Sequence, residues 1–515
     1  MRRCLLPFAL FVPLSLIVAG AIAQSTSSKP SPTGIAPVIA CTDLNTADLA
    51  SAVGAPVRIT GASEVDATPA PYCRVTATID PAIRIEVRLP LKTWTQRYLQ
   101  TGCGGLCGNL NINVNAGQAQ GCAPVTSGEI ALASTDMGHA NAGGRGGNGD
   151  PVWAEQNPQT TIDFAYRAQH VTALAAKALI KRFYGHDPAY SYFNGCSDGG
   201  REALMEAQRY PGDFNAIAAG APAMNFITQN TFYHGWNAHV NTGANGQAIL
   251  AAAQLPILHR AALTACDERD GAKDGLISKP WNCAFDPAVT LCKPNQAASE
   301  CLTAAQVNVA KEIYRGAHDS AGHKFVISGP LPGSELNWQG VYVPNAPGQP
   351  LFSANIALGT IRYLAYGKTL APSFTIGDFA FTAANFNDIK SKHALYDSTD
   401  PDLTKFLAHG GKLLLWHGLA DPHISPLNSI AYYGALRKTM GEAKVKGFAR
   451  LYLFPGGGHC NTGSFTFPLL SMLMNWAEDG IAPETVGPIE PYPSVAEVPA
   501  SQLEWMGSSF YASVR

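Results

Sequence analysis

The sequence has few charged residues and no long run of basic ones. Only 14% of its 515 residues are charged, and 36 Lys and Arg stand against 38 Asp and Glu, a formal net charge of −2. A chain without a basic surplus is a poor candidate for binding nucleic acid or an anionic membrane. Its 50 Gly and 36 Pro are too few and too scattered for a collagen-like or disordered chain. The length predicts about three domain-sized units.

Beyond the N-terminus, no segment is apolar enough to span a bilayer. Arg2 and Arg3 precede an apolar stretch over residues 5–22, and Ala21-Ile22-Ala23 has the form of a signal-peptide cleavage site. The alternative is an uncleaved membrane anchor, which the two prolines in this stretch disfavour. We therefore predict a cleaved signal peptide, a secreted or periplasmic protein, and no membrane segment in its mature form.

The sequence has no pair of C-x-x-C motifs, which makes a structural zinc site unlikely. It does have 12 cysteines, and removal of Cys4 with the signal peptide leaves eleven. In an exported chain, that number predicts a framework of disulfides with one thiol left over.

Strand-like and helix-like patterns alternate in the two outer parts of the chain but not in its middle. Strand patterns cover 82–89, 97–100, 190–194, 412–416 and 449–454, and helix patterns cover 162–184, 200–209 and 429–440. This alternation predicts the α/β class with a mostly parallel sheet. The predicted organisation is a signal peptide (1–23), a mobile Ser- and Pro-rich leader (24–37), one catalytic domain (38–224 and 401–515) and an inserted domain (225–400).

One pentapeptide predicts a nucleophilic serine. Gly195-Cys196-Ser197-Asp198-Gly199 fits G-x-S-x-G and lies between a strand pattern and a helix pattern. In such a turn, glycines avoid steric clashes and the serine hydroxyl is raised above the sheet at a helix N-terminus. The pattern alone is weak, because chance supplies about 0.3 matches in a chain of this composition. Its position between strand and helix makes Ser197 a strong candidate.

A serine nucleophile needs a base, and the base needs a carboxylate to orient it. In folds with this turn the chain order is Ser, acid, His, each after a strand. Asp421 and His459 follow the strand patterns 412–416 and 449–454, so we predict them as the acid and the base. His417 and His423 are rival bases, although a structural role is expected for His417 at a strand end.

Two cysteines flank the predicted serine and histidine. Cys196 precedes Ser197, and Cys460 follows His459. If serine and histidine are within hydrogen-bond reach, the two sulfur atoms must lie close together, so a disulfide is geometrically natural. The alternative is two unrelated buried cysteines.

Taken together, these residues resemble a known family. Cys196-Ser197, Asp421 and His459-Cys460 resemble the CS-D-HC signature of the tannase and feruloyl esterase family, which includes mono(2-hydroxyethyl) terephthalate hydrolase. The resemblance extends over most of the mature chain, through the segments 134–139, 164–168, 193–202 and 219–223. It implies an α/β-hydrolase core, a lid inserted before the acid, and hydrolysis of aromatic carboxylic esters. It also implies the disulfides Cys41–Cys73, Cys266–Cys283 and Cys292–Cys301.

The resemblance also suggests a calcium site. Three carboxylates and two glycines lie in the segment Cys266-Asp-Glu-Arg-Asp-Gly-Ala-Lys-Asp-Gly-Leu276, and oxygen ligands in a short loop suit a hard cation. The spacing is not that of an EF-hand. The alternative is a solvated acidic turn. By resemblance, the implied Ca²⁺ ligands are the side chains of Asp267, Asp270 and Asp274 and the carbonyls of Ala272 and Leu276.

An oxyanion hole needs two backbone N–H donors. We predict one from Asp198, which follows the nucleophile, and one from the Gly102-Cys-Gly-Gly-Leu-Cys-Gly108 loop, where Gly104 is preferred to Gly105. This loop departs from the plainer glycine-rich version associated with the family because it carries Cys103 and Cys107. One of these two is expected to pair with Cys122. A metal site formed by the three cysteines is the less favoured alternative.

Several other residues have two possible roles. Asp136 and His139 could form a second catalytic pair, but a hydrogen-bonded structural turn is favoured. Arg362 could bind a substrate carboxylate, although a salt bridge or packing contact is the more common role. The aromatic candidates for contacting the acyl group are Phe226, Trp236, Trp338 and Phe381.

The sequence therefore predicts an exported serine carboxylesterase that cleaves feruloyl or galloyl esters through an acyl-enzyme. One alternative is hydrolysis of a terephthalate monoester, and a second is acyl transfer with the same triad. A third is a non-catalytic binding protein on the same fold. The expected partner is a small aromatic ester, with structural Ca²⁺, no organic cofactor and no nucleic acid.

Overall fold

The computed structural model describes residues 33–512 except 113, 141–150, 347, 367–369, 372 and 494–496. The predicted signal peptide and residues 24–32 of the predicted leader lie outside the described residues. The end of that leader differs from the expectation of mobility, because Ile35 and Trp94 exchange two backbone hydrogen bonds of 2.9 Å. None of the described helices has the length and hydropathy needed to cross a membrane.

A nine-stranded mixed sheet runs through the molecule. Its strands are β1 (Val57–Val65), β2 (Tyr72–Ile79), β3 (Ile83–Pro90), β4 (Arg97–Thr101), β5 (Ala131–Thr135), β6 (Tyr190–Cys196), β7 (Ala216–Gly220), β8 (Lys412–Gly418) and β9 (Ala449–Phe454). The spatial order is β1-β2-β3-β5-β4-β6-β7-β8-β9. From β5 to β9 all neighbours are parallel, as predicted, whereas β1, β2, β3 and β5 pair antiparallel. The link between β2 and β3 is too short for a crossover helix, so these strands form a hairpin.

Helices surround the sheet and make up most of the rest of the chain. Those of seven or more residues are α1 (Ala168–Tyr184), α2 (Asp198–Arg209), α3 (His234–Val240), α4 (Leu255–Cys266), α5 (Ala304–Arg315), α6 (Phe352–Thr360), α7 (Ala383–Ile389), α8 (Leu427–Met440), α9 (Glu442–Phe448) and α10 (Leu469–Asp479). Shorter α-helical turns are Ala50–Val53, Ala123–Thr126, Trp153–Gln156, Pro158–Ile162, Phe226–Thr228, His393–Tyr396 and Thr404–Ala408. Three turns are π-helical. Asp163–Arg167 directly precedes α1, Gln229–Tyr233 directly precedes α3, and Ile361–Ala365 directly follows α6. The 3₁₀ turns are Cys41–Thr46, Ala252–Gln254, Asp267–Asp270, Pro280–Asn282, Pro287–Thr290, Glu335–Trp338, Ile376–Asp378, Lys390–Lys392, Ala500–Gln502 and Ser508–Tyr511.

Both faces of the parallel strands are buried. Successive side chains of a strand point to opposite faces. In β8, Leu413 and Leu415 join the apolar core that includes α1 and α2, whereas Leu414 and Trp416 join a second core formed with α10. Helices therefore cover the sheet on both sides, which confirms the predicted α/β class.

The chain makes one long excursion between two adjacent strands. β7 and β8 pair directly in parallel, although residues 221–411 separate them in the sequence. Within its described residues, this segment adds no strand to the sheet. It has an apolar cluster of its own, which includes Leu258, Ile313 and Trp338. The excursion spans the predicted insert 225–400.

Candidate active site

Ser197 occupies a sharp turn between β6 and α2. Its backbone has φ 65° and ψ −121°, an uncommon conformation for a residue with a side chain. A Cβ on Gly195 would lie 2.2 Å from the carbonyl oxygen of Gly199, and one on Gly200 would lie 2.4 Å from that of Gly220. Only glycine fits at these two positions, because strand and helix pass at backbone contact distance. The sequence forms the turn that G-x-S-x-G predicts.

The structure brings Ser197, His459 and Asp421 into one hydrogen-bonded chain. The Nε2 atom of His459 lies 2.9 Å from Ser197 Oγ, and its Nδ1 atom lies 2.8 Å from Asp421 Oδ2. Each residue follows a parallel strand, β6, β8 or β9, so all three lie at the same edge of the sheet. Here Nδ1–H donates to the carboxylate, and Nε2 can accept the serine proton.

Asp421 is fully buried and strongly hydrogen-bonded. Oδ1 accepts the backbone N–H groups of His423 at 2.8 Å and Ile424 at 3.2 Å, and Oδ2 also accepts from His417 Nε2 at 3.1 Å. Burial by itself raises the pKa of this carboxyl, but His459 and His417 more than offset it and hold the pKa far below its usual range. Asp421 is therefore a carboxylate at any working pH.

Neither rival histidine reaches the serine. His417 contacts Asp421 on one side and Ser429 Oγ, at 2.8 Å, on the other, so it supports the acid. The His423 ring lies with its centre 4.5 Å from that of His459. Burial and the neighbouring His459 lower the pKa of His423 to about 3, so this ring is neutral.

A disulfide joins the turn of the serine to the loop of the histidine. Cys196 and Cys460 are bonded, with their Cα atoms 5.9 Å apart and a sequence separation of 264. The pairs Cys41–Cys73, Cys266–Cys283 and Cys292–Cys301 are also bonded in the structure.

The expected pairing of Cys103 or Cys107 with Cys122 is wrong. Cys103 is bonded to Cys107, with their Cα atoms 5.4 Å apart. The Cys107 N–H donates to the carbonyl of Gly104 at 3.0 Å, and this turn brings residues four apart into bonding range. Spacing alone could have suggested this pair, because the three residues between the cysteines include two glycines and can form a tight turn.

The glycine-rich loop (residues 102–108) lies beside Ser197. Its start is fixed by the Gly102 N–H, which donates to Asn194 O at 3.0 Å. In the described part of the chain, the N–H groups of Gly104 and Gly105 have no protein acceptor. A Cβ on Gly104 would meet no atom within 4 Å, so this residue faces open space. The Asp198 N–H, at the first position of α2, also has no partner within the helix.

The side chain of Asp198 is neutralised beneath the site. Arg201 donates to its Oδ1 at 2.6 Å and its Oδ2 at 3.1 Å, and Arg201 is itself fully buried. The backbone carbonyls of Phe164, Ala165 and Tyr396 accept further hydrogen bonds from the guanidinium. The acid next to the nucleophile therefore adds little net charge to the site.

A cavity of about 500 Å³ opens onto Ser197 and His459. This outer cavity is lined by residues 102–105, Cys107, Asn109, Asn111, Cys196, Ser197, Phe352, His423, His459 and Cys460. A smaller inner pocket continues from it and is lined by Gly105, Ser197, Asp198, Ala223, Phe226, Gln229, Asn230, His234, Phe352, Ile356, His423 and Ile424. None of these described lining residues is Lys or Arg.

The sequence located only part of this cavity wall. Of the four aromatic candidates, Phe226 lines the inner pocket, whereas Trp236, Trp338 and Phe381 line neither cavity. Phe352 and His423, which line both, were not identified as wall residues. The π-helical turn Gln229–Tyr233 is a signal of a functional site that appears only in the structure.

Arg362 does not line either cavity. Its guanidinium donates to the carbonyl of Phe374 at 2.7 Å. Asp136 and His139 also line neither cavity. Asp136 pairs with Arg84, and His139 Nε2 donates to Leu106 O at 2.7 Å, so both residues support turns.

The acidic loop (residues 267–276) is a compact turn held by its own amides. Both oxygens of Asp267 accept backbone N–H groups at 3.1 Å, and Asp270 and Asp274 accept others, including that of Leu276. Among the described residues, no Lys or Arg pairs with these three carboxylates. Their oxygens do not all lie within 4.8 Å of one another. The donor set of carboxylates and nearby carbonyls such as that of Ala272 fits a hard cation in its chemistry.

Comparisons with known proteins agree with this geometry. The sequence profile described as "Tannase and feruloyl esterase" matches residues 66–498. A probable feruloyl esterase B-1 of Aspergillus flavus is 32% identical over 441 residues, which cover 80% of this chain and 78% of the relative. An uncharacterized esterase of Xanthomonas campestris pv. campestris is 31% identical over 477 residues, 82% of this chain and 78% of the relative.

The crystal structure of feruloyl esterase B from Aspergillus oryzae superposes with a TM-score of 0.71 at 27% identity, and covers 85% of this chain and 93% of its own. Tannin acyl hydrolase from Aspergillus niger has the same fold, with a TM-score of 0.66 at 24% identity over 91% of this chain and 95% of its own. The mixed sheet with its helices is thus an α/β-hydrolase core. The chain belongs to the tannase and feruloyl esterase family and is a carboxylic ester hydrolase.

Proposed function

We propose that the protein cleaves esters of phenolic aromatic acids through a covalent acyl-enzyme on Ser197. The observation that carries this proposal is the chain Ser197–His459–Asp421, with contacts of 2.9 and 2.8 Å. His459 takes the proton of Ser197 as Oγ attacks the ester carbonyl, and Asp421 stabilises the imidazolium that forms. His459 then gives the proton to the leaving alcohol. In the second half, His459 activates the water that releases the acid.

Negative charge develops on the carbonyl oxygen when Ser197 attacks the ester and again when water attacks the acyl-enzyme, and N–H donors must stabilise it at both steps. The Asp198 N–H and the N–H of Gly104, with Gly105 as its alternative, are proposed to supply them. The absence of a protein acceptor for these groups among the described residues supports the assignment. Each such donor contributes about 10²–10³ in rate in serine hydrolases.

The cavity walls favour a neutral acyl group. The polar side chains that line the cavities include amides and histidines, among them Asn111, Asn230 and His234, and the one described carboxylate that lines them, Asp198, is already paired with Arg201. Phe352 and Phe226 supply apolar contacts. Phenolic hydroxyls can exchange hydrogen bonds with such groups, whereas a terephthalate carboxylate would find no cation among the described lining residues to pair with. Relatives named feruloyl esterase B support a hydroxycinnamoyl substrate. We therefore place feruloyl esters first, galloyl esters second and the terephthalate monoester last.

A side-by-side assay tests this order. Rates of hydrolysis are measured for methyl ferulate, methyl gallate and mono(2-hydroxyethyl) terephthalate with the wild type and with Ser197→Ala. The proposal expects the highest kcat/KM on the ferulate, the lowest on the half-ester, and no activity above background for the variant. A preference for the half-ester contradicts the substrate assignment, and an active Ser197→Ala variant contradicts the mechanism. Added alcohol that diverts most of the acyl group into a new ester supports acyl transfer instead.

We also propose that the acidic loop holds a structural Ca²⁺. Asp267, Asp270 and Asp274 would provide the charged ligands, and the carbonyls of Ala272 and Leu276 the neutral ones. Lys273 does not neutralise this set, because it pairs with Glu268 at 2.6 Å. The ion would tie the loop together, close to the Cys266–Cys283 disulfide, and take no part in the chemistry.

Export to an oxidising compartment is the final part of the proposal. The N-terminal pattern is that of a signal peptide, and five disulfides between described cysteines suit a secreted or periplasmic protein. Mass spectrometry of the protein recovered outside the cytoplasm is expected to give an N-terminus at Gln24. Recovery with residues 1–23 still attached contradicts cleavage.

A further inference from the structure

Glu202 is a buried carboxyl group one turn beyond the nucleophile on α2. Only 2% of the residue is exposed. Its Oε2 accepts the backbone N–H of Cys103 at 3.2 Å and the side-chain amide of Gln169 at 2.5 Å. Its Oε1 lies 2.7 Å from Cys103 Sγ and 3.3 Å from Cys107 Sγ. Glu202 thus contacts both cysteines of the glycine-rich loop, while it lines neither cavity.

The surroundings of Glu202 favour the neutral form of its carboxyl group. Burial, followed by the nearby Asp198 carboxylate, raises its pKa well above the usual range, and the neighbouring Arg201 only partly opposes this. A disulfide sulfur has no proton to give, so a hydrogen bond between Oε1 and either sulfur must be donated by the carboxylic acid. Oε2 is then the acceptor for the backbone of the loop.

A chain of buried side chains holds the Glu202 carboxyl in place. Gln169, on α1, accepts from Gln100 Nε2 at 2.5 Å, and Gln100 in turn accepts from the Tyr98 hydroxyl. Both Gln100 and Tyr98 are on β4, in the middle of the sheet. Because every link is buried, the carboxyl has a fixed orientation relative to the sheet.

The loop has little freedom to take another position. A Cβ on Gly102 would lie 2.7 Å from Gly199 Cα and 2.8 Å from Glu202 Oε2, so the loop packs directly on α2. The Cys103 N–H donates to Glu202. The next two N–H groups, those of Gly104 and Gly105, have no acceptor among the described residues. The position of these donors therefore depends on the Cys103–Glu202 hydrogen bond.

We propose that Glu202 is a positioning residue that sets the second donor of the oxyanion hole by accepting the Cys103 N–H. This inference rests on the proposed function and adds to it a group that touches no substrate atom. The role requires an acceptor at Oε2 and the length of a glutamate side chain, and it requires no negative charge. Loss of the acceptor weakens binding of the transition state and leaves binding of the ground state nearly unchanged.

Three substitutions separate these requirements. Glu202→Gln keeps the side-chain length, an oxygen that can accept the Cys103 N–H, and a neutral N–H donor towards the two sulfur atoms. Its kcat on methyl ferulate is therefore expected within about threefold of the wild type. Glu202→Leu removes the acceptor, and Glu202→Asp withdraws it by one methylene. For both we expect kcat to fall, by about 10²-fold for Leu, the effect of losing one oxyanion donor, with KM within about threefold. Glu206→Gln, one turn further along α2, is the matched control and keeps its kcat.

Two inhibitors distinguish positioning of the oxyanion donor from a purely structural role of Glu202, because a purely structural role would not weaken one inhibitor selectively. A trifluoromethyl ketone analogue of methyl ferulate places an oxyanion in the hole, whereas ferulic acid binds as a ground-state product. In Glu202→Leu and Glu202→Asp, inhibition by the ketone is expected to weaken in parallel with kcat, and inhibition by ferulic acid to stay unchanged. If Glu202→Leu does not fold, Glu202→Asp and Glu202→Gln carry the same comparison.

The possible failures are distinguishable. Folded Glu202→Leu or Glu202→Asp with wild-type kcat overturns the positioning role, and so does an impaired Glu202→Gln beside an active Glu202→Asp. A wild type that hydrolyses none of the aryl esters, or an active Ser197→Ala, overturns the proposed function itself.

Discussion

At the scale of single residues, the proposed mechanism depends on a carboxylate that stays ionised inside the protein. Asp421 receives four hydrogen bonds, two from backbone amides and two from histidines. These bonds fix the His459 ring with Nδ1–H towards the acid, so that Nε2 is free to accept a proton. The orientation of the base, more than its basicity, is what Asp421 provides.

Asp421→Asn is expected to lower kcat on methyl ferulate by about 10⁴-fold with a small change in KM, because the amide favours the wrong histidine tautomer. Steady-state kinetics on the purified variant measure this. Asp187→Asn, at an exposed pair with Lys181, is the control and is expected to behave as the wild type. A kcat within tenfold of the wild type for Asp421→Asn would contradict the assignment of the acid.

Local sequence was sufficient to predict Ser197, Asp421 and His459 as one group, and the structure brings them together. Each follows a strand, and their order along the chain matches a known template, so short sequence patterns were enough to predict them. Glu202, Asn230 and Phe352 could not be found in this way. The roles proposed for them rest on contacts across the fold, such as that between Glu202 and Cys103, which no spacing in the sequence indicates.

At the scale of elements, the Cys196–Cys460 disulfide ties the turn after β6 to the loop after β9. It closes a loop of 264 residues, which corresponds to at most about 5.6 kcal/mol in the chain-entropy account. Because Ser197 and His459 are the adjacent residues, the bond also limits how far these two side chains can separate.

The double variant Cys196→Ala/Cys460→Ala is expected to lose about 10²-fold in kcat, since displacement of reacting groups by about 1 Å has an effect of this size. Its urea midpoint should fall as well. Cys292→Ala/Cys301→Ala removes a disulfide that spans 9 residues within the excursion. This control should lose no more than about 2.6 kcal/mol of stability and keep its kcat. Equal kcat in the two double variants would contradict a role in positioning.

Elements with strong patterns were predicted to within a few residues. The strand 449–454 has the same bounds in the structure, and the predicted helix 429–440 begins two residues earlier, as Leu427–Met440. The antiparallel pairing of β1 to β3 was not predicted, because strand direction depends on what the connections allow. The Cys103–Cys107 pair was missed for a similar reason, since pairing depends on a turn in three dimensions.

At the scale of the whole molecule, buried neutral histidines make stability depend on pH. Burial lowers the pKa of His139 to about 4 and, with help from His459, that of His423 to about 3. In the unfolded chain a histidine titrates near 6.5. As pH falls below that value the unfolded state takes up protons that the folded state does not, so stability falls until the folded-state pKa values are reached.

Urea unfolding between pH 6 and 5 measures this dependence. We expect the free energy of unfolding to decrease by up to about 1.4 kcal/mol per pH unit for each such histidine. His139→Gln keeps a donor for Leu106 O. It should reduce the change in unfolding free energy per pH unit by the contribution of one histidine. An unchanged slope in this variant would show that His139 is charged in the folded protein.

Calcium offers a second test at this scale. Removal of Ca²⁺ with a chelator is expected to lower the thermal midpoint, and return of Ca²⁺ at 100 times its Kd to restore about 2.7 kcal/mol. Asp270→Asn should abolish the response, and Asp286→Asn, an exposed acid outside the loop, should keep it. Identical midpoints with chelator and with Ca²⁺ would count against the site.

The excursion between β7 and β8 shows the limit of sequence interpretation for the whole molecule. The sequence predicted an insert over residues 225–400 because the strand and helix alternation stops there. Its internal arrangement was not, since Trp338 and Phe381 pack within the excursion and Arg362 bonds a nearby carbonyl, whereas Phe352 reaches the cavity. Aromatic composition alone does not distinguish these outcomes.

The central claim is that Ser197 is the nucleophile of an ester hydrolase. Reaction with a fluorophosphonate, followed by intact-mass measurement and peptide mapping, tests it most directly. We predict one adduct per chain, on Ser197, with hydrolysis of methyl ferulate lost in proportion to labelling. An unlabelled Ser197 in active protein, or an adduct on another residue that accounts for the loss of activity, would contradict the claim.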